Sequence, residues 1–185
     1  IITSLNRLAR EVGPNDSVTV YYAGHGYLSE KTGQGYWIPG DAKVTTPENW
    51  ITNNDIAKLL GNIPARQVLL VSDSCYSGSL TKQQWTGASQ KLDPQRILTK
   101  RSVTVLSSGG EEPVSDEGKD GHSIFAYSFM KSLRPVDKVE SAGQLFESVK
   151  AEVIREFPQT PAYGGSVSAG HDTGADYLFE KRSFK

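Results

Sequence analysis

The sequence predicts a layered α/β domain with a mainly parallel sheet. Three observations carry that expectation: short continuous runs of apolar and β-branched residues, helical repeats between them, and breaks rich in Gly, Pro or Asn at their ends. At 185 residues the chain has the length of one ordinary domain and is large enough to bury a sizeable core.

Taken in order, Ile2, Leu5, Leu8 and Val12 recur at helical spacing, and Gly13-Pro14 ends the helix. The segment from Ser17 to Ala23 is rich in β-formers and fits a buried strand, broken by Gly24-His25-Gly26. Tyr36 to Ile38 reads as a short strand stopped by Pro39-Gly40-Asp41. Asn53 or Asn54 is placed to cap a helix through Leu60, which Gly61 ends. Gln67 to Asp73 predicts a second buried strand, followed at once by Ser74-Cys75-Tyr76-Ser77-Gly78. From Ser79 to Lys100 the composition turns polar, which predicts a long exposed loop reaching to Arg101. A third strand, Ser102 to Ser107, precedes a loop rich in Gly, Glu and Asp from Gly109 to Gly121. Helices are expected over Ser123 to Leu133 and Ser141 to Phe157, and the Pro/Gly-rich segment from Pro158 to Gly174 leads into a last strand, Tyr177 to Phe179.

Composition narrows the function classes. A formal charge of -1 gives no reason to expect nucleic acid or an anionic membrane as partner. No apolar run approaches the roughly 20 residues that span a bilayer. The segment from Ile1 to Gly13 is amphipathic and lacks the pattern of a signal peptide. These features favour a soluble, cytoplasmic protein without fixing its compartment. One cysteine excludes an internal disulfide framework and a multi-thiolate zinc site. Cys75 is therefore either a small buried hydrophobe or a reactive thiol.

Its surroundings favour the thiol. Two apolar runs each end abruptly in small residues around one reactive side chain, Ala-Gly-His25-Gly and Asp-Ser-Cys75-Tyr-Ser-Gly. In open parallel sheets, sites form at the carboxyl ends of strands, so neighbouring parallel strands would bring His25 and Cys75 to one edge. A thiol needs a nearby base to act as thiolate at neutral pH, and an imidazole supplies it. Gly26 lets the backbone approach a substrate closely, and its N–H together with that of Cys75 can bind a developing oxyanion. The residues alone leave plainer readings open: His25 as a structural strand-end histidine, and its glycines as turn residues.

Val20-Tyr-Tyr-Ala-Gly-His25-Gly26, Trp37-Ile-Pro-Gly-Asp41 and Val71-Ser-Asp73-Ser-Cys75-Tyr-Ser-Gly78 together resemble the bacterial caspase-like cysteine peptidases, close to metacaspases and orthocaspases. His122-Ser-Ile-Phe125, Gln159-Thr-Pro-Ala-Tyr163 and Gly170-His171 extend the resemblance over nearly the whole chain. Cys75 follows His25 by 50 residues, the spacing general to caspases. The resemblance implies a caspase-hemoglobinase fold and endopeptidase activity through a thioester, with His25 and Cys75 catalytic and Gly26 and Cys75 at the oxyanion. It also implies a basic substrate residue before the scissile bond. The position two before the cysteine is Asp73, as in metacaspase-like enzymes, where caspases that cut after aspartate carry Gln; a carboxylate there suits Arg or Lys. The bland alternative is that Asp73 bonds local backbone. Ser107 and Glu112, with Glu111 and Asp116 nearby, fall where the family builds its substrate cleft.

Departures from the pattern are also legible. Metacaspases often carry Ser two residues before the catalytic His, and Ala23 stands here. The family's sheet begins with strands and a helix that precede a region like Ile1 to Gly13, so a missing N-terminal segment, in this or another polypeptide, is expected. No cofactor is required for the chemistry; metacaspases commonly need calcium, yet no acidic cluster has trustworthy ligand spacing. The basic residues Lys82, Lys91, Arg96, Lys100 and Arg101 lie on or beside the polar loop, where caspases are divided into two subunits, and self-cleavage is the corresponding expectation. Among the spare histidines, His122 is read as packing or capping before a helix and His171-Asp172 as an adjacent pair that does not act together. Two competing readings stay open: a catalytically silent caspase-like binding scaffold, and another α/β cysteine hydrolase.

Overall fold

The computed structural model describes residues 1–75, 80, 83–84, 93–109 and 118–181. In chain order the elements are α1 (Ile2–Glu11), β1 (Ser17–Ala23), β2 (His25–Ser29), β3 (Gln34–Ile38), β4 (Ile51–Thr52), α2 (Asn53–Gly61), β5 (Gln67–Asp73), β6 (Gln83–Gln84), α3 (Pro94–Leu98), β7 (Ser102–Ser107), β8 (Gly118–Lys119), β9 (His122–Ser123), α4 (Ile124–Leu133), β10 (Glu140–Ser141), α5 (Ala142–Glu156), β11 (Ala162–Gly165) and β12 (Leu178–Phe179).

The three apolar runs form the parallel heart of a sheet ordered β1-β5-β7-β11-β6, with β11 antiparallel to both β7 and β6. Strand pleating divides their side chains between two cores. Val68 and Leu70 of β5 join Leu5 of α1 and Ile56 and Leu60 of α2 on one face. Leu69 and Val71 meet Phe125 and Phe129 of α4 and Leu145, Val149 and Val153 of α5 on the other. Each fully buried Val, Leu or Phe contributes about 1.5–3 kcal/mol, so the middle strands anchor the fold. The mainly parallel sheet flanked by helices is the predicted α/β class.

Several local expectations differ from the structure for physical reasons. β1 is the outer strand among the described residues, and it is half-exposed: Val18 and Tyr22 point into the core, whereas Thr19 and Tyr21 do not. The Gly24-His25-Gly26 break opens a second sheet, with β2 and β3 an antiparallel ladder and β4 beside β3. The α2 cap is Thr52, whose hydroxyl accepts from the Asp55 N–H at 3.0 Å, because the helix begins at Asn53 and its cap precedes both asparagines. In the polar segment, Leu80 is buried, β6 pairs with β11, and α3 is capped by Asp93; the rest of its interior lies outside the described residues. β11 is a strand despite two glycines because it pairs with β7 and β6, and at Gly165 a Cβ would fall 2.2 Å from the His171 ring.

Candidate active site

β1 and β5 pair in register from Ser17 against Gln67 to Ala23 against Asp73. Carried two residues further along each chain, the same offset reaches His25 and Cys75. The two motifs therefore leave the sheet at one edge, its carboxyl end. The Gly24 N–H donates to the Asp73 carbonyl at 3.3 Å and ties the chains together where they diverge.

Tyr22 fixes the turn that carries the histidine. Its hydroxyl donates to the His25 carbonyl at 3.0 Å, with the Ile38 carbonyl at 3.5 Å. Its ring stacks on the buried Trp37, centroids 3.8 Å apart and planes 3° apart. Burial pushes the Tyr22 phenol up to about 12, against the smaller opposing effect of a backbone hydrogen bond at Ile38, so the hydroxyl remains a donor through neutral pH. Gly26 has a duty that the sequence did not reveal: a Cβ there would sit 2.0 Å from the Cys75 carbonyl oxygen. The backbones of the two motifs are in direct contact, and only glycine fits.

The cysteine side is held from behind by buried hydroxyls. Ser72 and Ser74 share a 3.0 Å hydrogen bond, the Ser108 N–H donates to the Ser72 carbonyl at 3.0 Å, and the Ser108 hydroxyl donates to the Ser74 carbonyl at 3.4 Å. The Gln159 side-chain amide donates in turn to the Ser108 carbonyl. Such a network rigidifies the end of β5 and leaves Cys75 half-buried at its tip.

Asp73 faces an open cleft of about 430 Å³, lined among others by Tyr21, Gly24, His25, His122 and Ser123. Its Oδ2 accepts a hydrogen bond from the Ser123 hydroxyl at 2.5 Å and another from the Tyr21 hydroxyl at 3.2 Å. Ser123 is also the N-cap of α4, accepting from the Ala126 N–H at 2.9 Å. Burial, then the charge of Asp73 and its hydrogen bond, raises the Tyr21 phenol well above its ordinary value.

The remaining candidates scatter. Ser107 is fully buried, donates its hydroxyl to the Gly109 carbonyl at 3.0 Å and does not line the cleft. Glu111, Glu112 and Asp116 lie outside the described residues. His122 is exposed on the cleft, and the cap expected of it is supplied by Ser123. Tyr21 and Ser123 were not among the sequence candidates; Ser123 carried the signal of a cap before an apolar run, but nothing local showed that it would meet a residue 50 positions away. Among the described residues, no group of three or more His, Cys, Asp or Glu could hold a metal ion. Among the same residues, no helix is long and apolar enough to cross a membrane.

His171 belongs to the opposite end of the sheet. Its Nδ1 accepts from the Val103 N–H at 3.2 Å, near the amino end of β7, while Asp172 accepts from the Arg101 N–H at 2.7 Å instead of pairing with it. Burial depresses the His171 imidazole below its ordinary 6.5. Between the folded and unfolded values, the unfolded chain binds the extra proton, so this contribution to stability is whole above about pH 6.5 and is lost as pH falls. The urea midpoint is expected to drop between pH 7.5 and 5.5 more steeply for the native protein than for His171→Asn, which retains an acceptor. Comparing the two slopes cancels Asp176, whose burial raises its carboxyl and acts with opposite sign. Parallel slopes would refute this assignment.

Residues 1–168 match the Caspase domain family of C14 peptidases. No curated protein matches the sequence significantly. Among solved structures, the chain is similar to protein GSU0716 from Geobacter sulfurreducens, at 18% identity and a TM-score of 0.57, over 89% of this chain and 72% of that one. That likeness concerns the fold. The family match extends from α1 past β11 and takes in both strand-end motifs, and the chain belongs to the caspase domain family.

Proposed function

We propose that the chain is a cysteine endopeptidase that uses Cys75 and His25 and cleaves after Arg or Lys. The observation that carries the reading is the in-register parallel pairing of β1 and β5, which sends both motifs from one sheet edge with Gly26 packed on the Cys75 backbone. His25 takes the Cys75 proton, and the thiolate attacks the scissile carbonyl carbon. Charge develops on the carbonyl oxygen, toward which the Gly26 and Cys75 N–H groups are the proposed donors. The adduct collapses as His25 returns the proton to the departing amine, leaving a thioester. Water, deprotonated by His25, then releases the acid and restores the thiol. Asp73 receives the basic side chain before the scissile bond, since among the described residues it is the carboxylate of the cleft that His25 also lines.

Two further assignments rest on the same reading. The segment from 79 to 101 is proposed as a self-cleavage site. Within it Lys100 is tied to the Thr173 carbonyl and Arg101 to the Ala65 and Gly61 carbonyls, which leaves Arg96, in the short α3, the better described target. The outer edge of β1 is proposed to receive a strand from beyond these residues, in this or another polypeptide.

The test is an active-site label. A peptidyl chloromethyl ketone ending in Lys or Arg is expected to add one adduct per chain at Cys75, read by intact mass, and to label His25→Ala far more slowly. Native protein that stays unlabelled while free thiol reagents reach Cys75 would favour a silent scaffold instead.

A further inference from the structure

The small sheet that begins at His25 has two unlike faces. Its register sets Gly26 opposite Trp37 and Trp37 opposite Ile51, and this face turns inward, with Trp37 and Ile51 buried and Trp37 stacked on Tyr22. Alternation along β2 and β3 puts His25, Tyr27 and Tyr36 on the other face. There the rings of Tyr27, Tyr36 and Trp50 cluster, with centroids 5.0 Å apart for Tyr27 and Trp50, 5.6 Å for Tyr36 and Trp50, and 6.4 Å for the two tyrosines. Trp50 is fixed in place: its indole N–H donates to the Lys43 carbonyl at 2.8 Å and its backbone N–H to the Pro47 carbonyl at 3.3 Å. Tyr27 is 44% exposed, and Tyr36 and Trp50 are half-buried. Rings already held in place offer apolar contact at little ordering cost.

The position of the rings relative to the reacting bond names their occupant. The Asp73 cleft is lined by Ala23, Gly24 and His25 but not by Tyr27, so the rings lie beyond His25 along β2. His25 must hand its proton to the departing amine, so the first residue on the leaving side lies against the imidazole. A strand rises about 3.3 Å per residue, which sets Tyr27 roughly 7 Å past His25. An extended peptide that continues along this face brings its second or third residue after the scissile bond over the rings. Resting on the proposed chemistry of His25 and Cys75, we infer that Tyr27, Tyr36 and Trp50 form a subsite for an aromatic or large apolar side chain on the leaving half of the substrate. The enzyme then reads both sides of the bond, a charge before it and an apolar group after it.

The experiment compares kcat/KM for internally quenched peptides that share one basic residue before the scissile bond and carry Phe, Leu, Ser or Gly at the second and third positions after it. A peptidyl aminocoumarin, which has no residue on that side, is the reference. Tyr27→Thr removes the ring and keeps a strand former, whereas Tyr27→Phe keeps the ring. Wild type and Tyr27→Phe are expected to prefer the Phe peptide to the Gly peptide by about three- to tenfold, the size of an aromatic contact. Tyr27→Thr is expected to lose that preference, with its aminocoumarin rate and thermal midpoint close to wild type. A merely structural role would lower the aminocoumarin rate in the same proportion, and would overturn the inference. Wild type that cleaves the Phe and Gly peptides alike, or Tyr27→Thr that keeps the preference, also overturns the subsite while leaving the peptidase reading intact. So does a Tyr27→Thr protein that changes only in sedimentation, which assigns the rings to contact between copies of the chain. Wild type that cleaves neither the peptides nor the aminocoumarin removes the peptidase reading and this inference with it.

Discussion

Cys75→Ala is expected to reduce peptide hydrolysis to background, and His25→Ala to lower kcat by on the order of 10⁴- to 10⁶-fold. Nucleophile and base act as a unit, so removing either forfeits most of what the pair supplies. Neither change should unfold the protein. Cys75 is only half-buried, and the His25 backbone is held by the Tyr22 hydroxyl and the β2–β3 ladder, not by its imidazole. Steady-state rates on a fluorogenic Lys or Arg peptide, alongside thermal melts of each variant, separate chemistry from folding. Wild-type turnover in a clean Cys75→Ala preparation would eliminate the mechanism.

What could be read from the sequence follows from how local each determinant is. β5 and β7 are buried on both faces, and their apolar runs declare them without any tertiary knowledge. The candidates His25 and Cys75 stand out because each follows the abrupt end of a strand-forming run, half-exposed in β1 and buried in β5. β2 was not, since His-Gly-Tyr-Leu-Ser shows no strand period; it is made by pairing with β3 and by the Tyr22–Trp37 stack. β6, two glutamines, is a strand only because β11 lies beside it. The role of Gly26 belongs to the same class: a flexible turn residue in sequence, it turns out to be a contact between two backbones brought together by the sheet. Ser123 could be seen as a cap but not as a partner of Asp73, because that bond depends on how α4 is packed across the sheet edge.

Asp73→Asn is expected to lower kcat/KM for Arg and Lys substrates by about 10- to 100-fold, as loss of a charge-assisted hydrogen bond of roughly 1.5–3 kcal/mol implies, while leaving citrulline and acetyl-lysine substrates nearly unchanged. Asparagine is the informative replacement. Its amide oxygen can still accept from Ser123 and Tyr21, so the cap of α4 and the cleft wall are preserved and only the charge is removed. Asp73→Ala would strip those hydroxyls of their acceptor as well, mixing a loss of specificity with a loss of order around α4. The effect should fall chiefly on KM if the ion pair binds ground and transition states alike, and on kcat if it seats the scissile bond against Cys75. A half-buried carboxylate at the end of the strand that bears the nucleophile is two residues from the reacting thiol, so part of the loss is expected in kcat. A peptide-library scan in which wild type prefers aspartate, or in which Asp73→Asn keeps the full preference for basic residues, would dismiss Asp73 as the source of specificity.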